Sequence, residues 1–150
     1  MPIEKKLFKK TALITGASQG LGKQIAIQFV NEGANLILFS RNSKNLIKLK
    51  NYLKKIQQPF QKILIKVGDV SLEKDIKNLT EFTFNNFETC EILINNAGVY
   101  GPKGKFEKSD FNEWMKTIQI NLIGSAMMFY YFLPYFKKQN YGKIIQLSGG

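Results

Sequence analysis

Thr15-Gly16-Ala17-Ser18-Gln19-Gly20-Leu21-Gly22 joins a short apolar run to an amphipathic helical pattern, and the reading of this stretch decides the fold. Ahead of it, Thr11-Ala12-Leu13-Ile14 suits a strand buried on both faces. Behind it, Leu21, Ile25 and Phe29 recur every four residues and give a helix one apolar face. A strand that turns sharply into a helix leaves that helix's first amides without acceptors, aimed into a turn where the macrodipole also favours an anion. The stretch therefore predicts a cradle for a nucleotide's pyrophosphate. Gly16, Gly20 and Gly22 divide the work: a tight turn, close backbone approach to the ligand, and close helix-to-strand packing. The residues alone leave a second reading open, a glycine-rich turn that only packs a helix onto a sheet.

Spacing narrows the kind of cradle. Gly-x-Gly-x-x-Gly is broken by Ser18 and Leu21, and a P-loop would need Gly at Ala17 and Ser or Thr at Gln24. What remains, Thr-Gly-x-x-x-Gly-x-Gly, is similar to the glycine motif of the short-chain dehydrogenases/reductases. Three more segments resemble that family in its own order: Gly68-Asp69-Val70, Asn95-Asn96-Ala97-Gly98, and Asn121-Leu122-Ile123-Gly124. The resemblance implies cofactor contacts from Gly16, Ser18, Gln19, Gly20, Leu21 and Gly22. It further implies that Asp69 and Val70 meet the adenine ring and that Asn96, Ala97 and Gly98 pass along the ribose and nicotinamide side. Asn121 then belongs to the catalytic tetrad, holding a water that relays protons.

The implied reaction is hydride transfer between a nicotinamide and a small carbonyl or alcohol, with a Tyr as general acid or base, a Lys four residues later, and a Ser that orients the carbonyl. None of Tyr52, Tyr100, Tyr130, Tyr131, Tyr135 or Tyr141 is followed by Lys at that spacing. In the family the pair lies a dozen or so residues beyond strand five, past Gly150, so the chain is expected to be the amino-terminal part of a longer enzyme and inactive alone. Aligning Gly142 to Gly149 on the family's strand five puts the catalytic Ser position at Gly149, with Ser148 one residue early. Two readings stay open: Ser148 substitutes through a shifted strand end, or it only bonds backbone.

Strand two ends at Ser40-Arg41, where the adenosine ribose lies in a dinucleotide-binding fold. An acid there would bond the ribose 2′-hydroxyl of NAD. Ser40 takes that place, and Arg41 offers a guanidinium fork to a 2′-phosphate. A hydrogen bond to a charged group contributes roughly 1.5 to 3 kcal/mol, about ten- to a hundredfold in affinity, so NADP is expected over NAD. A solvated Arg at a strand end is the other reading.

Composition limits the alternatives. At 150 residues and 44% hydrophobic the chain is one globular domain. The absence of histidine excludes Ser/His/Asp chemistry and mixed-ligand zinc sites, and no metal is expected. Cys90 alone cannot form an internal disulfide, which points to a reducing compartment, and Met1 to Lys6 has no signal-peptide core, so a cytoplasmic protein is expected. The net charge of +11 comes from 21 Lys and one Arg against 11 acids. Those lysines are spread over every helical segment and read as solvated surface rather than a nucleic-acid stripe, which would favour Arg. A regulatory dinucleotide binder without catalysis remains a rival, and a basic nucleic-acid binder a weaker one.

Read in order, the chain alternates strands and helices. Gly33 closes the first helix, Leu36 to Phe39 forms strand two, and Ser43 caps a helix with Leu46, Leu49, Leu53 and Ile56 on one face, ended by Pro59. Strand three is Ile63 to Val67. Ser71 caps a helix carrying Ile76, Leu79 and Phe82, with Glu73 and Asp75 at its positive end. Strand four is Ile92 to Ile94, a loop runs from Gly98 to Lys108, and Ser109 or Asp110 opens helical sequence. Leu122 to Phe136 carries no charge, but its 15 residues fall short of the ~20 that span a bilayer. It reads as a helix between the sheet and a partner subunit, hence a homo-oligomer with no membrane partner. Lys143 to Leu147 is strand five. The expected fold is α/β: a Rossmann-type doubly wound parallel sheet in three αβα layers, strand order 3-2-1-4-5, cut off after strand five with an open edge there.

Overall fold

Leu13 and Ile37 face one way and Ala12, Ile14, Leu36 and Leu38 the other, so each central strand needs apolar residues at every position. A computed structural model describes residues 5–148. β1 (Thr11–Thr15), β2 (Asn35–Ser40), β3 (Ile63–Val67), β4 (Ile92–Asn95) and β5 (Lys143–Gln146) pair in parallel in the order β3-β2-β1-β4-β5, as expected. Ala12 lies opposite both Leu36 and Ile92, and the direction of winding reverses between β1 and β4. That reversal opens a crevice at the strands' carboxyl ends. α1 (Gly20–Asn31) and α2 (Ser43–Leu53) cover one face through Ala26, Val30, Leu46 and Leu49. α3 (Glu73–Asn86) and α5 (Gly124–Lys138) cover the other through Ile76, Leu79, Met128 and Phe132. α4 (Phe111–Ile118) leads into α5 through a π-helical turn over Gln119–Ile123.

Several local expectations need correction. Of the predicted apolar face of α1, Ile25 and Phe29 pack half-buried against the core, but the fully buried stripe is Gly22, Ala26 and Val30, one position on. The helix approaches so closely that small residues face the sheet, and Leu21 is left 59% exposed at the crevice. Asn42, not Ser43, caps α2: its backbone is extended and its side chain accepts the Asn45 N–H at 3.0 Å. That helix ends at Leu53, before Ile56. Ser71 does not cap α3, because its N–H and its hydroxyl both donate back to Asp69 Oδ1 at 2.8 Å. Glu73 and Asp75 do occupy the first turn there, Asp110 caps α4, and Gly33 adopts φ +88° just past α1.

Candidate cofactor and active site

Gly16 leaves β1 with φ +62°, a conformation L-residues avoid, and a Cβ there would stand 2.8 Å from the Ala97 Cα. Gly20 also has positive φ, +55°, but a Cβ on it would meet nothing within 4 Å. Its missing side chain therefore leaves open space in front of the helix start, which is what close approach of a ligand needs. Gly22 is confined from behind, since a Cβ would come within 2.6 Å of the Gly16 carbonyl oxygen and 2.4 Å of Asn96 Nδ2. No side chain caps α1, so its first-turn amides are left to whatever enters the crevice.

The turn after β4 is locked to this one. Thr15 Oγ1 accepts the backbone N–H groups of Asn96 at 3.1 Å and Ala97 at 3.0 Å. In return Asn96 Nδ2 donates to the Thr15 and Gly16 carbonyls at 3.0 and 3.1 Å. Four hydrogen bonds thus tie together the two turns that flank the switch point. Sequence reading gave Thr15 no role, although a hydroxyl at the last strand position before the glycines was the available signal. Asn121 sits in the π-helical turn and does for Val99 what a strand neighbour would: Oδ1 accepts the Val99 N–H and Nδ2 donates to the Val99 carbonyl, both at 2.9 Å. Its carboxamide thus holds the loop with one donor and one acceptor, and its own backbone carbonyl accepts the Ser125 hydroxyl at 3.0 Å.

At the other end of the crevice Ser18 and Ser40 share a hydrogen bond of 2.9 Å between their hydroxyls. Arg41 lies beside them, 58% exposed, with Nη1 3.5 Å from Asp69 Oδ2. Burial raises the Asp69 carboxyl, but the two Ser71 hydrogen bonds and the Arg41 charge outweigh it and hold the group below its usual range. Gly68 precedes it because a Cβ would strike the Phe39 ring at 2.7 Å. Gly124 lets α5 approach Val70 in the same way, since a Cβ there would come within 2.9 Å of the Val70 carbonyl oxygen.

These pieces surround one cleft of about 870 Å³, within the range of about 300–1,000 Å³ usual for small-molecule and cofactor sites. Every residue singled out in the sequence lines it except Gly22, which lies behind the turn: Gly16, Ser18, Gln19, Gly20 and Leu21 on one wall, Ser40, Arg41, Asp69 and Val70 at one end, Asn96, Ala97, Gly98, Asn121 and Ser148 towards the other. Sequence reading missed Phe39, Tyr100, Phe129 and Gln146 as lining residues. Phe39 and Phe129 carried only a core signal. Ser148 is exposed beyond β5, and the alternative catalytic position, Gly149, lies outside the described residues. No cluster of three or more potential metal-ligating side chains occurs among the described residues.

The sequence profile described as short chain dehydrogenase matches residues 10–150. An uncharacterized oxidoreductase of Staphylococcus saprophyticus is 35% identical over 141 residues, 93% of this chain and 54% of that protein. Among solved structures, levodione reductase is similar with a TM-score of 0.86 at 30% identity, covering 91% of this chain and 53% of its own. An alcohol dehydrogenase from the archaeon Thermococcus sibiricus, complexed with 5-hydroxy-NADP, gives a TM-score of 0.83 at 26% identity, with 91% and 56% covered. The chain spans about half the length of these relatives.

Proposed function

The chain belongs to the short-chain dehydrogenase family, and we propose that the protein carrying it is an NADP-dependent oxidoreductase acting on a small carbonyl or alcohol. The observation that carries the cofactor choice is the adenosine end of the cleft, where Ser18, Ser40 and Arg41 gather two hydroxyls and a guanidinium and no carboxylate replaces Ser40. NADP, when bound, supplies or accepts the hydride. The rest is work for this chain's own groups. The uncapped start of α1 and the backbone around Gly20 hold pyrophosphate, Asp69 and Val70 border the adenine, and the locked Asn96 to Gly98 turn fixes the nicotinamide side. Asn121 positions the loop at Val99, and Ser148 stands at the reactive end of the same cleft.

The levodione reductase and the NADP-type ligand in the Thermococcus enzyme support this reading by likeness alone. A cytoplasmic homo-oligomer is part of the same proposal: the outer side of α5 leaves Tyr130 73% and Leu133 43% exposed, an apolar surface suited to a second copy. Titration of the full-length protein with NADPH and NADH tests the cofactor. Arg41→Asp replaces attraction for the 2′-phosphate with repulsion and is expected to lower NADPH affinity at least tenfold while leaving NADH nearly unchanged. An unchanged ratio would reduce Arg41 to a solvated surface residue.

A further inference from the structure

The lysines that the sequence spreads along its helical segments are gathered by the fold. In a parallel sheet all strand starts lie at one end, together with the ends of the helices that return to them, and this end is opposite the cleft. Ten lysines stand there among the described residues: four ahead of β1, two just after α2, two closing α5, and Lys62 and Lys143 at the starts of β3 and β5. Only Glu32, Glu88 and Glu91 stand against them. At the cleft end, by contrast, Asp69, Glu73, Asp75, Glu107, Asp110 and Glu113 offset more than half of the basic groups, which are Lys23, Arg41, Lys44, Lys66, Lys74, Lys77, Lys103, Lys105, Lys108 and Lys116. Most of the chain's excess charge is therefore on the end remote from the nucleotide site.

Helix dipoles explain part of this, since cations are favoured at helix carboxyl ends. They account for the lysines after α2 and on α5, and for Lys5 and Lys62, whose ammonium groups reach the last carbonyls of α1 and α3, but not for Lys6, Lys9, Lys10 and Lys143. Internal pairing explains little more. Lys10 reaches Glu91 at 3.8 Å, and Lys5 and Lys62 donate to the Asn31 and Asn86 carbonyls at 2.8 and 3.0 Å. The other seven have no carboxylate within ion-pair distance among the described residues. Set among them are two phenylalanines in solvent: Phe8 is 51% and Phe60 40% exposed, their rings meeting edge to face at 4.9 Å between centroids. Lys9 Nζ lies 5.3 Å from the Phe8 ring.

We propose that this end of the domain docks on an anionic lipid surface, with Phe8 and Phe60 entering the headgroup layer and the surrounding lysines meeting lipid phosphate and carboxylate. Lysine is a compact point charge that attracts any anionic surface, whereas a nucleic-acid site draws on the planar fork of arginine, and the patch contains no arginine. The Phe8 and Phe60 rings meet edge to face at 62° and Lys9 Nζ sits over the Phe8 ring, so the pair does not form a flat platform on which successive bases would stack. An apolar pair ringed by lysine is what an interfacial anchor needs. No helix among the described residues is long and apolar enough to cross a membrane, so the contact is peripheral. The cleft faces away from the docked surface and stays open to its ligands, and the proposal stands whether or not the oxidoreductase reading does.

Co-sedimentation of the full-length protein with vesicles of phosphatidylcholine alone, or with about one third phosphatidylserine, tests it. Binding is expected only to the anionic vesicles and is expected to vanish at about 0.5 M salt, where the Debye length falls to a few ångströms. One lysine at such a surface contributes about fivefold, so Lys6→Gln, Lys9→Gln and Lys54→Gln together lower partitioning by about a hundredfold. The same three changed to Arg retain it, which separates lost charge from lost fold. Phe8→Ser with Phe60→Ser weakens binding at constant charge, while Lys103→Gln, Lys105→Gln and Lys108→Gln at the cleft end leave it unchanged. Equal binding to both vesicle types, no binding to either, or tighter capture of a DNA oligomer than of anionic vesicles would overturn the proposal.

Discussion

Gly16 and Gly20 share a left-handed backbone yet fail differently when substituted. Gly16→Ala meets both the cost of φ +62° and a Cβ 2.8 Å from the Ala97 backbone, so it is expected to lose about 3 kcal/mol in urea unfolding. Gly20→Ala meets only the conformational cost, about 1 to 2 kcal/mol, but its methyl projects into the space a pyrophosphate would fill. Its signature is therefore a small loss of stability with a large loss of nucleotide affinity, and equal losses in both variants would show that Gly20 faces no ligand. Cys90 makes a different test. It is fully buried, and burial pushes its thiol from 9.0 up to about 12. Because the fold favours the neutral thiol, the stability it contributes is complete below pH 9.0 and is lost as pH rises towards about 12. At pH 8 iodoacetamide is expected to leave the native protein unmodified and to alkylate Cys90 once urea is added, as read by intact mass. The residue types at both positions were legible in the sequence. The role of Thr15 in tying the two turns together had only one signal, a hydroxyl at the last strand position, and that position does not reveal that its partners would be the Asn96 and Ala97 amides some eighty residues on.

The continuous rod of α4, its π-helical turn and α5 joins the core to the cleft. The extra residue in that turn points Asn121 at Val99, where its carboxamide takes both backbone groups. Asn121→Ala removes two hydrogen bonds of about 0.5–1.5 kcal/mol net each, so a loss of about 1–3 kcal/mol is expected. Faster amide exchange at Val99 than elsewhere on the loop locates the effect; uniform exchange would mean the clamp does not form in solution. Strands were the easiest elements to read, since burial on both faces writes continuous apolar runs such as Leu36 to Phe39. Helix faces were harder. In α1 the large residues advertised one face while Gly22 and Ala26 formed the buried one, because close packing selects small side chains that a hydrophobicity pattern undercounts. Asn42 and Ser43 are equally good caps by residue type and only the backbone decides between adjacent positions, while Leu72 escaped because it has no capping side chain and the neighbouring Ser71 spends its hydroxyl on Asp69. Nothing in Gln119-Ile120-Asn121-Leu122-Ile123 marks a widened turn.

At the scale of the whole molecule, topology does what no local pattern announces: it collects residues far apart in the chain into an end of mixed charge with a cleft and a more basic end without one. The order of the four motifs was enough to foresee the first, but lysines counted along the sequence gave no hint of the second. The same topology separates binding from chemistry. The 150-residue polypeptide is expected to bind NADPH, since Gly16, Gly20, Arg41, Asp69 and the Asn96 turn all border the cleft. It is expected not to catalyse hydride transfer, because chemistry also needs an acid for the developing alkoxide, and none of its six tyrosines has Lys four residues on. General acid catalysis contributes about 10² to 10⁴ in rate. Asn121 cannot replace the acid, because a carboxamide is not a useful proton donor near neutral pH. Ser148, exposed beyond β5, has no described partner that would activate its hydroxyl. Purified alone and offered small aldehydes and ketones, the polypeptide should quench or shift NADPH fluorescence on binding yet oxidise the nucleotide no faster than its Gly16→Ala variant. Turnover above that control would place the reacting groups within these residues and require a proton donor other than the Tyr and Lys pair.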